Sequence, residues 1–394
     1  MNLIMVILAG GAGQRIIDIT NGKPKVLLDI AGKTIIEYTI LNAIDLNLTD
    51  IVIVTDKPEE FEDISVKYGR RIRIDLVKQR EPEIRGAILS VKDRIGNEFF
   101  ILAYGDVLAP VEFYRDVIDA YRVYHRPVMA VVPEEDVTSY GAAILDERGI
   151  VRKVIEKPRK NISGAYAIGG LYVLDKSFFE ILEESEDTGE AISRYSLKYG
   201  ILASVWSGWW VDIGFPWDLL KATYYVLGET KNTIISPKAV ISSKASLKGP
   251  VIIEDDAVID DYAIIKGPVY VGKGSYIGSH TLIREYTDIE RNVIVSSYSE
   301  IVWSSMQKNS TIGRNVYLGF SVVGEGAVIE PNVTTMTLLK NTGIRPIVVK
   351  RRGQEYSKLG AFIGARSRVK VGSVLSPGTL VKRSSIYSGT EHSD

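Results

Sequence analysis

The sequence predicts two architectures in tandem: an α/β region built on a Rossmann-like, mostly parallel sheet, and then an all-β hexapeptide β-helix. Three observations predict them. The 394 residues are too many for one ordinary hydrophobic core. Up to about residue 228, apolar strand-like runs alternate with amphipathic stretches, the pattern of a parallel sheet covered by helices on both faces. From Ile235 the period changes to six. A branched aliphatic residue or leucine stands at 235, 241, 247, 253, 259, 265, 271, 277, 283, 289, 295 and 301.

In the first half, Leu3–Ala9, Ile51–Thr55, Ile72–Val77 and Phe99–Tyr104 read as strands. Thr34–Leu46, Glu59–Tyr68, Ala87–Arg94 and Val111–Tyr124 read as the helices between them. Sheets of this kind bind ligands outside the carboxyl ends of their strands. Two strand ends therefore matter: Leu3–Ala9 runs into Gly10–Arg15, and Phe99–Tyr104 runs into Gly105-Asp106.

In the second half, a small or β-branched residue stands four positions after each successive anchor from Ala239 to Ser299. Neither a helix nor a plain amphipathic strand has a period of six. A triangular coil of about eighteen residues does, with its anchors stacked inside. The register breaks after Ile301 and again around Val323, then resumes at Ile363, Val369, Leu375 and Val381. Residues 332–358 do not fit the period and are expected to project from the coil as a loop. The expected division is therefore 1–228, a linker at 229–234, a β-helix over 235–385 and a polar tail at 386–394.

Composition excludes several functions. Lys+Arg total 48 and Asp+Glu 49, a net charge of −1, which lacks the basic excess of a nucleic-acid binder. No apolar run approaches the length of a membrane span, and the first one lacks a basic leader. A cytoplasmic enzyme is expected, with no nucleic-acid or membrane partner. Cysteine is absent, which removes disulfides, thiolate zinc sites and a cysteine nucleophile. His125, His280 and His392 are the only histidines.

The chemistry starts at Leu8-Ala9-Gly10-Gly11-Ala12-Gly13-Gln14-Arg15, followed by Pro24-Lys25. A glycine-rich turn after a strand lets backbone N–H groups approach phosphate oxygens, and Arg15 and Lys25 add charge. The dinucleotide pattern fails, because Ile16 occupies its third glycine position. Gly32-Lys33-Thr34 is no P-loop, because Leu27 occupies the required first glycine.

The motif resembles the signature of the sugar-1-phosphate nucleotidylyltransferases, and more of that family's pattern follows in order. Gln79 and Gly86 lie where a base-reading segment is expected. Gly105-Asp106 ends a strand, and then come Tyr140-Gly141, Glu156-Lys157-Pro158 and Trp210-x-Asp212-Ile213-Gly214. With the β-helix attached, the whole chain resembles the archaeal bifunctional nucleotidylyltransferase/acetyltransferase type, whose β-helix is left-handed.

The resemblance implies in-line attack of a sugar phosphate oxygen on the α-phosphorus of an NTP, with pyrophosphate leaving. The nucleophile is already an anion, so the protein's work is to position two polyanions and neutralise charge. The resemblance assigns the triphosphate to Arg15 and Lys25, with Leu8, Ala9, Gly10, Gly11 and Gly13 shaping the turn, and Mg²⁺ to Asp106 and Asp212. It assigns the sugar phosphate to Lys157, the sugar to Glu156 and Gly141, and the base to Gln79 and Gly86, with Gly105 beside the metal ligand. UTP or dTTP is the favoured donor. Three segments depart from the pattern: Ile84-Arg85-Gly86, Ile168-Gly169-Gly170 and Gly189-Glu190-Ala191. They fall on base and sugar recognition, not on phosphate or metal.

In the second half the resemblance implies a histidine base for acetyl transfer, and Arg314 stands in the matching segment Gly313–Tyr317. Arginine stays protonated near neutral pH and cannot serve as a base. His280 and the Lys350-Arg351-Arg352 cluster, which could meet CoA phosphates, are the remaining candidates for such a site. The expectation is therefore a nucleotidylyltransferase whose β-helix serves oligomerisation, as a homotrimer or larger. Three alternatives stand beside it: a mannose-1-phosphate guanylyltransferase, an enzyme that also acetylates an amino-sugar-1-phosphate with acetyl-CoA, and a silent paralogue that senses nucleotide sugars.

Overall fold

The computed structural model describes residues 3–11, 13–96, 99–337, 347–351 and 354–389, the stretches 347–351 and 354–356 by backbone alone. The chain forms two compact units. One comprises Met1–Gly11 with Ile35–Asp212, the other Ala12–Thr34 with Ile213–Asp394. The change of sequence period near 228–235 does not coincide with that division. Residues 12–34 and 213–228 pack with the β-helix, because their contacts are to its strands.

The first unit is a nine-stranded sheet. Its parallel part runs Arg73–Lys78, Asp50–Thr55, Met5–Leu8, Phe99–Tyr104, and the antiparallel strand Tyr166–Asp175 continues it. Met5, Val6 and Ile7 are wholly buried, which explains why this strand is apolar without alternation. Helices Ile35–Asp45, Glu62–Tyr68, Glu83–Leu89 and Val111–Tyr124 supply the crossovers. The expected helix Ala87–Arg94 begins earlier and divides: Glu83–Leu89 is α-helical and Lys92–Arg94 is a separate 3₁₀ turn. Met5–Leu8 has Asp50–Thr55 on one side and Phe99–Tyr104 on the other. The strand order reverses there, so a crevice opens at the carboxyl ends of these strands.

In the second unit, the hexad anchors are the core. Ile253 to Ile301 are each at most 1% exposed at every sixth position. Three parallel sheets form the sides of the coil. Early coils repeat every eighteen residues, Val271 opposite Ile289, while later ones repeat every seventeen, Ile289 opposite Met306. This is the physical cause of the register break after Ile301. One corner loses a residue at 301–306 and again at 318–323, so Met306 and Val323 become the anchors there. The shortened corners carry Trp303 and Phe320, both in left-handed backbone and stacked at 5.6 Å between centroids, and Tyr286 on the full-length coil before them is tilted against Trp303 at 4.6 Å.

The coil continues beyond the point expected from the sequence. Thr334–Thr335 still pairs with Tyr317 above and with Val374–Leu375 below, so the coil includes residues 332–335, which were expected in the loop. Ile347–Arg351 and Gln354–Lys358 then form an antiparallel hairpin. Of the basic cluster, Arg352 lies outside the described residues. The expected tail also starts later, since Ile386–Tyr387 pairs with Arg368–Val369. Among the described residues no helix is long and apolar enough to cross a membrane.

Candidate active site

In the first unit the site gathers at the carboxyl ends of Met5–Leu8 and Phe99–Tyr104. Leu8 lies opposite Tyr104, and Gly105 N–H donates to the Leu8 carbonyl at 2.9 Å. A Cβ at Gly105 would sit 2.7 Å from that carbonyl, so a side chain is excluded where the two strands release their loops. Ala9 is buried and its N–H donates to Val54. Gly11 has φ of 103° with open space around it, a conformation that favours glycine and leaves the backbone approachable.

Asp106 follows directly. The next two residues, Val107–Leu108, pair antiparallel with Val211–Asp212, Asp212 opposite Val107. Two aspartates distant in sequence are thus one ladder step apart along the backbone, at the end of the strand beside the glycine turn. Trp210 anchors the second of them: its indole N–H donates to the Gly169 carbonyl at 3.0 Å and its ring stands edge-on to Tyr140. Gln79 packs against Gly10, where its side-chain oxygen occupies the space a Cβ would need. Its amide nitrogen donates to the Glu81 and Glu83 carbonyls at 2.6 and 2.9 Å. Gly86 lies beneath the Glu81 carbonyl, which leaves no room for a Cβ.

A cleft of about 430 Å³ opens beside this set. Glu156 and Lys157 are on its wall, together with Gly189, Ile168 and Arg85. Gly141 faces Glu156, since a Cβ there would lie 3.1 Å from the Glu156 carboxylate. Lys157 leaves the strand Val151–Glu156 in left-handed backbone, φ 41°, held by its N–H on the Tyr140 carbonyl. Such a conformation costs a lysine about 1–2 kcal/mol, and functional sites are where such strain is retained.

Among the lining residues that sequence reasoning overlooked are Tyr104, Tyr172, Asp187 and Thr188. Tyr104 and Tyr172 meet hydroxyl to hydroxyl at 3.5 Å, and burial pushes both phenols above their usual range. Asp187 caps the helix Thr188–Tyr199 by accepting from Glu190 N–H, which sets Thr188 at the cleft. The signal available was Tyr104, adjacent to Gly105-Asp106.

In the second unit, Gly13 holds φ 51° beside Lys25. Lys25 Nζ donates to the Ile213 carbonyl at 2.8 Å. The Arg15 guanidinium lies 4.4 Å over the Phe215 ring. Asp218 accepts from Gly214 N–H and Phe215 N–H, and its burial raises its carboxyl above the usual range. Both basic side chains are therefore held against Ile213–Phe215, the stretch that continues the Asp212 motif. Ala12 lies outside the described residues.

Two of the β-helix candidates have described side chains, and both are exposed. Arg314 lies exposed at a corner. His280 is stacked between Tyr262 and Tyr298, at 4.9 and 5.1 Å between centroids, in an exposed column of rings.

The family model for nucleotidyl transferases matches residues 4–229. The chain belongs to that family. A model of six bacterial transferase hexapeptide repeats matches 250–285. Methanocaldococcus jannaschii has a relative named bifunctional protein GlmU, 31% identical over 385 residues, covering 95% of this chain and 91% of the relative. A Sulfurisphaera tokodaii relative is named bifunctional sugar-1-phosphate nucleotidylyltransferase/acetyltransferase, 31% identical over 397 residues, 95% of this chain and 93% of that one. A solved UDP-glucose pyrophosphorylase from Acinetobacter baumanii shares the fold, with a TM-score of 0.51, 20% identity, and coverage of 59% of this chain and 95% of that one. The enzyme is thus a member of the sugar-1-phosphate nucleotidyltransferase family with hexapeptide repeats, as its motifs implied.

Proposed function

We propose that the protein transfers a nucleotidyl group from UTP or dTTP to a sugar-1-phosphate, releasing pyrophosphate, with Mg²⁺ held by Asp106 and Asp212. The observation that supports this reading is the pairing of Val211–Asp212 with Val107–Leu108, which brings Asp212 within one ladder step of Asp106 at the strand end beside the glycine turn. The donor set suits the metal: Mg²⁺ takes one or two carboxylates plus phosphate oxygens and water. When bound, it would offset the negative charge of the reacting phosphates as the new bond forms. Arg15 and Lys25 hold the outgoing β- and γ-phosphates. Lys157 holds the incoming phosphate, and Glu156 and Gly141 hold the sugar beside it. Gln79 and Gly86 read the base. Residues 1–228 form the family domain, and the coil from 235 through Tyr387 is the oligomerising β-helix. The protein works in the cytoplasm on small molecules.

The experiment is pyrophosphate release across all pairings of UTP, dTTP, GTP, CTP and ATP with a panel of sugar-1-phosphates. Turnover with UTP or dTTP supports the reading. Preference for GTP with mannose-1-phosphate replaces it with a guanylyltransferase, and tight nucleotide-sugar binding with no turnover replaces it with a sensor.

A second reading has its own support. The relatives named bifunctional align across 95% of this chain, so the repeats belong to the shared architecture. Acetyl transfer from acetyl-CoA to an amino-sugar-1-phosphate would then accompany the first activity. Exposed Arg314 and stacked His280 favour a scaffold. Acetyl-CoA consumption with glucosamine-1-phosphate, unaffected by excess NTP, would establish the second activity.

A further inference from the structure

Two carboxylic acids are buried on the outer face of a β-helix sheet, within the second unit. Asp288 is 0% exposed and Glu290 2%. The β-ribbon Asp29–Ile30/Lys33–Thr34 covers them, and its two tip amides supply their hydrogen bonds. Ala31 N–H donates to Asp288 Oδ1 at 3.2 Å, and Gly32 N–H donates to Glu290 Oε1 at 3.0 Å. Both tip residues have positive φ, 47° and 78°, as a two-residue hairpin turn of the primed type requires. Ser305 Oγ donates to the other Asp288 oxygen at 3.3 Å. Gln307 clamps the ribbon at its base, accepting from Asp29 N–H at 3.1 Å and donating to Asp29 O at 2.9 Å.

Asp288 and Glu290 flank the inward-facing Ile289, so their side chains share the outer face of the coil. Two ionised carboxylates buried side by side repel each other, and one proton between them removes the repulsion and supplies a donor. The contacts described for the pair are all donors, two amides and one hydroxyl, and among the described residues no ion pair reaches it. Asp29, the nearest further acid, is taken up by Lys308 at 3.1 Å. The other titratable groups on the elements packed around the pair are Lys33 on the ribbon, Tyr270 on the adjacent strand, Arg291 after Glu290, and Asp218 and Lys221 on the helix Pro216–Gly228.

We propose that this ribbon is a proton-operated latch, in which one proton shared by Asp288 and Glu290 holds residues 29–34 on the β-helix and its loss releases them. Burial raises both acids above the usual carboxylate range, and the neighbouring Asp29 charge adds to the rise. The sign follows. Undocked and solvated, the pair would ionise near the ordinary value of about 4. Docked, it keeps its proton to higher pH. Docking is therefore complete at acid pH, weakens as pH rises through the interval between those two values, and levels off above it. The latch ends the same stretch, residues 12–34, that carries Arg15 and Lys25. The inference goes beyond the proposed activity and stands without it.

The test is amide hydrogen exchange of the full-length protein from pH 5 to 9, read as protection factors so that the intrinsic pH dependence cancels. In the wild type, the peptide spanning 29–34 is expected to lose protection by about tenfold per pH unit while one proton is linked. Peptides from the coil core around Ile277 keep theirs. Glu290→Gln retains a neutral donor and an acceptor, and its 29–34 protection is expected to become independent of pH. Flat wild-type protection across the range would overturn the latch, as would a Glu290→Gln profile that falls like the wild type. The wild-type profile decides the matter even if the variant does not fold.

Discussion

Arg15 and Lys157 are the two side chains whose roles are most easily separated. Arg15 is stacked on Phe215, a geometry a lysine cannot reproduce, because a guanidinium is planar and its fork binds phosphate bidentately. Arg15→Lys is expected to raise the KM for NTP about tenfold, with a smaller change in kcat, measured by pyrophosphate release. Lys157 is 60% exposed and paired only loosely with Glu156, at 3.8 Å, so its removal costs little stability. Lys157→Ala is expected to raise the KM for the sugar-1-phosphate about 10- to 100-fold and to leave that for NTP unchanged. Equal effects on both substrates would contradict the assignment. At this scale the sequence was legible wherever a residue type is demanded by backbone geometry. Gly11 and Gly105 are of that kind. Tyr104, Tyr172 and Asp187 were not, because their place at the cleft depends on which neighbours bury or cap them.

Elements were most legible where the period is rigid. The hexads name the β-helix core residue by residue, since a coil side that is one step out of register would expose every anchor. Ile277 is wholly buried, whereas Ile294 on the next coil points outward and is 43% exposed. Ile277→Ala is expected to cost about 2–5 kcal/mol, and Ile294→Ala under about 0.5 kcal/mol, by denaturant unfolding. Comparable costs would mean the inside and outside of the coil are wrongly assigned. The seventeen-residue coils were legible only as a break. Their cause, a corner shortened at Trp303 and Phe320, has no six-residue signature, because the stacking of those two rings depends on the coils above and below. The helix that starts at Glu83 was misplaced for a similar reason. Gly86 reads as a helix breaker, yet it is required where the Glu81 carbonyl presses on the helix.

For the whole molecule, periodicity divided the chain by sequence, while packing grouped residues 12–34 with a coil some 250 positions away. Asp288 and Glu290 show why. Both read as outward-facing, solvated positions of a hexad, and both are covered by a ribbon that nothing local announces. The outer faces of the coil carry exposed Val240, Ile294 and Ile386 on one sheet, in the manner of a surface that packs against copies of itself. Light scattering is expected to give a mass of three 43.6 kDa chains, or a multiple of that. A strict monomer at micromolar concentration would remove oligomerisation as the purpose of the β-helix.

The central claim is that one divalent cation, held jointly by Asp106 and Asp212, brings a triphosphate and a sugar phosphate together. Its most direct test is the Mg²⁺ dependence of pyrophosphate release in the wild type, Asp106→Asn and Asp212→Asn. The account predicts saturable activation by Mg²⁺ in the wild type and loss of activity on chelation. It predicts at least about a 100-fold lower rate in each variant, with unchanged circular dichroism. Metal-independent turnover in the wild type, or full activity in either variant, would contradict it.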